Sequence, residues 1–139
     1  MRLARTLAIA LPVLLLAHFG SGTALAEQVA GPRSARPGTI VTFWGYGYGP
    51  YADIRVDFIP RRTYGGNCCG TFIRRTFHAN SRGRVRLRFR WPRRYEACFM
   101  GHAFPCEHPR WRRGEWVYML VHTVEYGRSD RKAVRIRGY

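Results

Sequence analysis

The sequence predicts an all-β domain, and three observations carry that expectation. Asp53 to Ile59 alternates, with Ile54, Val56 and Phe58 on one side and Asp53, Arg55 and Asp57 on the other. Arg84 to Arg90 alternates more strictly, with Val85, Leu87 and Phe89 facing one way and four arginines the other. No segment after residue 27 holds a helical period over ten residues, so side chains that repeat every second position define half-buried strands.

The elements follow in order. Gly31 to Gly38, with Pro32 and Pro37, is an opening segment suited to a sheet edge, and Thr39 to Trp44 is a β-branched and aromatic strand. Gly45, Gly47, Gly49 and Pro50 bend the chain before the strand at 53–59. Pro60 to Gly70 reads as a polar loop carrying Cys68 and Cys69, and Thr71 to Ala79 as a strand whose facing is blurred by Arg74-Arg75. Asn80 to Gly83 is a turn into the strand of four arginines. Pro92 to Gly114 is a long loop holding Cys98 and Cys106, of a length that in a small domain is either functional or stapled. Glu115 to Val124 is apolar on both faces, as a central strand would be. Gly127 to Asp130 turns the chain into a closing strand at 132–137, with Val134 and Ile136 inward and Arg135 and Arg137 outward.

The N-terminus has the form of a secretory signal over residues 1–26. Arg2 and Arg5 precede an apolar stretch from Leu7 to Ala17, and Ala24-Leu25-Ala26 is a small-x-small cleavage pattern. The apolar stretch is too short to cross a bilayer as a helix, which takes about 20 residues. An exported chain, secreted or periplasmic, with one domain over 27–139 is therefore expected, and no transmembrane segment in the mature protein.

The whole chain carries 24 basic and 8 acidic residues, a formal charge of +16. Losing residues 1–26 leaves about +14, nearly all of it arginine; Lys132 is the one lysine. Guanidinium groups grip carboxylate, phosphate and sulfate through paired donors and stack on aromatic rings. Arg84, Arg86, Arg88 and Arg90 form the expected binding ladder, joined by Arg110, Trp111, Arg112 and Arg113 of the long loop. The expected partners are an anionic polysaccharide, an envelope phosphate polymer or extracellular DNA. Trp44, Tyr46, Tyr48 and Tyr51 cluster around the glycine bend, as stacking rings or as core. A structural or protein-interaction module with incidental charge is the alternative reading.

Export makes disulfides the default for Cys68, Cys69, Cys98 and Cys106. A bridge between the adjacent Cys68 and Cys69 is the least favoured pairing, which leaves two long-range pairings open: Cys68–Cys98 with Cys69–Cys106, or the crossed set. Cys98, His102, Cys106 and His108 are bunched as metal ligands could be, but their spacing matches no defined site, and Gly101, Pro105 and Pro109 prevent a helix from presenting them. No metal or other cofactor is expected. Catalysis has thin support: there is no nucleophile elbow, phosphate loop or zinc-protease motif, and His78, His102, His108 and His122 are the candidate bases for a small nuclease, the enzyme reading to weigh against binding.

Several stretches resemble bacterial secreted immunoglobulin-like domains. Ala35 to Thr42, then Gly45-Tyr46-Gly47-Tyr48-Gly49-Pro50, then Ile54-Arg55-Val56, follow their opening pattern; Asn80 to Leu87 with Trp91-Pro92, and Gly127 to Ile136, follow their second half. The resemblance implies a sandwich of about seven strands and is nearly silent about function, because such domains serve as adhesion, spacer and recognition modules alike; the binding, non-catalytic role expected here comes from the charge and the missing catalytic motifs. The cysteine-bearing segments 61–70 and 92–114 depart from the pattern.

Overall fold

Alternation of apolar and charged residues gives each long strand one face to bury, and two sheets meet on those faces. The computed structural model describes residues 28–66, 68–98, 105–125 and 129–138. The expected signal segment, His102 and the turn at Gly127 and Arg128 lie outside them. The strands are β1 (Val29–Ala30), β2 (Ser34–Ala35), β3 (Ile40–Gly45), β4 (Asp53–Pro60), β5 (Cys69–Phe72), β6 (Phe77–His78), β7 (Val85–Arg90), β8 (Glu96–Ala97), β9 (Trp116–Thr123) and β10 (Ser129–Ile136), with a 3-10 turn at Arg61–Thr63.

The smaller sheet has the order β1-β3-β7, and the larger β2-β10-β9-β4-β5-β8, with β6 also paired to β4. All pairings are antiparallel except β2 with β10. Among the described residues no helix is long and apolar enough to cross a membrane.

The core is aromatic. Phe43 and Phe89 of the small sheet stack at 6.0 Å, and Phe58 of the large sheet meets Phe89 at 5.6 Å and Trp91 at 4.7 Å, both edge-on. Val56, Val117, Met119, Val121, Val134 and Ile136 complete the inner face of the large sheet. Tyr48 also packs inward, whereas Trp44, Tyr46 and Tyr51 of the same glycine-rich bend stay exposed.

Among the described residues the strands number ten, against the expected seven or so. The additional strands are two-residue pairings, too short for a period-two pattern to reveal. The single strand expected at 71–79 is two, β5 and β6, parted by a bend at Arg74 and Arg75. Continuous alternation would turn one of those two guanidinium groups into the core; the bend keeps both exposed. Strand β9 is central, between β4 and β10, yet its outer face is only half-covered. There Tyr118 lies between the Tyr64 ring, 4.8 Å away, and the Arg131 guanidinium, 4.7 Å from its centroid.

The cysteine pairing is corrected too. Cys68 bonds to Cys69, and Cys98 to Cys106. The two cysteine-bearing segments do come together, but through the backbone: Cys69 is opposite Ala97, and the Cys98 N–H donates to the Cys68 carbonyl at 2.9 Å. Residues 92–98 and 105–114 form the two limbs of an arm, paired at Arg94 with Arg110 and at Ala97 with Glu107. That pairing sets Cys98 beside Cys106, with Cα atoms 4.4 Å apart, and so decides their partner. A ring closed across a separation of 8 residues stabilises by about 2.5 kcal/mol in the chain-entropy model, less than the long-range pairings would have.

Candidate anion-binding face

Strand β7 places Arg86, Arg88 and Arg90 outward and Val85, Leu87 and Phe89 inward, with Arg84 continuing the outward row. Same-face side chains on a strand recur about every 6.7 Å, so four arginines span about 20 Å. The start of the row is held by Asn80, whose Oδ1 accepts from the backbone N–H of Arg82 at 2.9 Å and Arg84 at 3.0 Å.

Antiparallel pairing with β3 sets Trp44 opposite Arg86, Thr42 opposite Arg88 and Ile40 opposite Arg90. Trp44, Tyr46 and Ile40 are exposed, and the guanidinium carbons of Arg86 and Arg84 lie 5.8 Å from the Trp44 and Tyr46 ring centroids. The outer face of the small sheet is thus a lane of guanidinium groups beside a lane of apolar surface. None of its three strands contains an acidic residue. The acidic side chains of the strands, Asp53, Asp57, Glu96 and Asp130, all belong to the large sheet.

The ladder extends past the end of β7. Arg90 Nη1 donates to the Gly38 carbonyl at 2.6 Å, and Gly38 with Thr39 borders a cleft of about 610 Å³ that also holds Arg36, Arg93, Arg94 and Arg110. Arg110, expected in the binding set, therefore joins the ladder end. Arg112 and Arg113 do not: they line a different cleft with Arg61 and Arg62, where the largely buried Glu115 carboxylate sits 2.7 Å from Arg62 and accepts the Arg112 backbone N–H at 2.9 Å.

Trp111 is corrected outright. It is 2% exposed, stacks on Tyr95 at 4.6 Å and donates its indole N–H to the Pro92 carbonyl at 2.7 Å, so it anchors the arm from within. The exposed rings beside the ladder are Trp44 and Tyr46 instead. Polarity gave no signal for Trp44, since Ile40 and Trp44 on the outer face are as apolar as Val41 and Phe43 on the inner one; the β3–β7 pairing is what sets it beside the ladder.

The histidines divide. His122 Nε2 is 2.8 Å from Asp57, and the exposed His78 Nδ1 is 2.7 Å from Asp53, both pairs on the large sheet. His108 is exposed, and its carbonyl accepts from Arg94 at 2.8 Å. Donor atoms of Glu96, Cys98 and Cys106 lie within 4.8 Å of one another, but the two sulfurs are bonded to each other.

No protein-family model and no curated protein matches this sequence. With no relative to supply a role, the reading of the face rests on its own charge and geometry.

Proposed function

We propose that this chain is an exported, non-catalytic binding module that holds an anionic polymer at the cell envelope or outside the cell on the outer face of its small sheet. One observation carries the reading: the ladder at 84–90 lies on a sheet whose strands hold no acidic residue, while the acidic residues of the strands, Asp53, Asp57, Glu96 and Asp130, all lie on the large sheet. A cationic surface maintained only for solubility has no need of that segregation. Guanidinium groups beside exposed rings suit a polymer that offers both charge and a stackable or apolar ring face.

An immunoglobulin-like scaffold fits the topology. On this reading β1-β3-β7 would correspond to A, B and E, and β10-β9-β4 to G, F and C. Two disulfides in a small chain suit an oxidising compartment, in keeping with the signal-like residues 1–26.

Replacing Arg86 and Arg88 together by glutamine is expected to weaken binding of a polyanion by about tenfold or more, and to flatten the dependence of log affinity on log salt by about 0.7–0.9 per lost contact. Replacing Arg131 and Arg135, on the outer face of β10, is expected to do much less. Equal losses from both pairs would mean that net charge alone attracts the polymer, and the structural-module reading would replace this one.

A further inference from the structure

Arg75 sits at the joint between the two sheets. Its guanidinium donates to the Arg88 carbonyl and lies 4.4 Å from the Phe77 ring centroid. It lines two clefts at once. One, about 370 Å³, opens on the ladder and includes Arg88 and Arg90; the other, about 320 Å³, opens on the large sheet and includes Arg55, Arg74, Asp57 and His122. Ile73 is common to both.

The second cleft has the chemistry of an anion site. Arg55 and Arg74 are exposed and form no ion pair with a described residue. The lining sets three guanidinium groups, Arg55, Arg74 and Arg75, against one carboxylate, Asp57, which is 2.8 Å from His122 Nε2. The bend at Arg74 and Arg75, which parts β5 from β6, is what brings these guanidinium groups to the edge.

We infer that the binding track continues from the ladder over the sandwich edge, by way of Arg75, into a second subsite at Arg55 and Arg74 that takes a further oxyanion group of the same flexible chain. This rests on the proposed ladder face and adds to it a minimum ligand length and a path. A rigid rod could not follow the turn, so the ligand class narrows to flexible single-chain polyanions.

The test uses oligothymidylates of about 4 and about 16 nucleotides, the range of single-strand site sizes, and polyglutamate chains of matching length. For the chain type that binds, changing Arg55 and Arg74 together to glutamine is expected to leave short-oligomer affinity unchanged. The long oligomer should lose about tenfold, with the salt slope for single-stranded nucleic acid falling by about 1.4 for two contacts. The polymer that shows this loss identifies phosphate or carboxylate as the group taken. Equal loss at both lengths, or no loss for either long polymer, overturns the second subsite. The ladder reading fails separately, through Arg86 and Arg88 replacements that leave short-oligomer binding unchanged.

Discussion

Replacing Phe58 by alanine is expected to lower the unfolding free energy by about 3–5 kcal/mol, a large share of the 5–15 typical of a small domain. Phe58 is fully buried where the sheets meet, its ring 5.6 Å from Phe89 and 4.7 Å from Trp91. Truncation removes apolar contact from both layers at once and leaves a hole that neither backbone can close. Phe72, on the same sheet but 59% exposed, is the control, and alanine there should cost less than about 1 kcal/mol. Denaturant unfolding with the disulfides intact measures both. Similar losses at the two positions would mean that the sheets do not pack through Phe58.

Alanine at Gly83 is expected to cost about 2–4 kcal/mol, because two penalties coincide. Gly83 has φ of +71°, and a Cβ there would stand 2.0 Å from the Tyr48 carbonyl oxygen, a backbone atom with no rotamer to escape by. The same contact is productive in the wild type, since the Tyr48 N–H donates to the Gly83 carbonyl at 3.1 Å and docks the glycine bend on the turn before β7. Gly49 is the matched comparison: a Cβ there meets nothing within 4 Å, and Gly49→Ala should leave the unfolding free energy within about 0.5 kcal/mol of the wild type. Because the 80–83 turn also sets the start of the arginine row, Gly83→Ala should weaken polyanion binding, which Gly49→Ala should not.

The parts of the fold legible in the sequence are those where side-chain period and burial coincide. The inward sets Ile54, Val56 and Phe58, Val85, Leu87 and Phe89, and Val134 and Ile136 are all buried. What the sequence could not convey was pairing between distant segments. The cysteines show this most directly: the backbone bond between Cys98 and Cys68 satisfies the expected long-range proximity, and leaves each cysteine bonded to a neighbour on its own segment. Avoidance of a bridge between adjacent residues was a sound local argument, overridden by the way the limbs of the arm fold back.

The candidate site divides along the same line. The four arginines of β7 were visible because one strand carries them all. Trp44 and Tyr46 reach the ladder only through the β3–β7 register, and Arg36, Arg93 and Arg94 only because Gly38 and Trp91 are joined, with the Gly38 N–H donating to the Trp91 carbonyl at 2.8 Å. Trp111 was misplaced for the converse reason. Its arginine-rich neighbours, Arg110, Arg112 and Arg113, suggest an exposed loop, but the chain turns the ring inward onto Tyr95 and leaves the charges outside.

The central claim is that a polyanion docks on the small sheet, and nitrogen-15 NMR with an oligothymidylate of about 4 nucleotides titrated into the protein tests it most directly. The side-chain N–H resonances of Arg84, Arg86, Arg88 and Trp44 should shift progressively and saturate together, while those of Arg131, Arg135 and Trp116, on the outer face of the large sheet, should move little. Shifts of similar size on both faces, or saturation on the large sheet with the ladder unmoved, would contradict it.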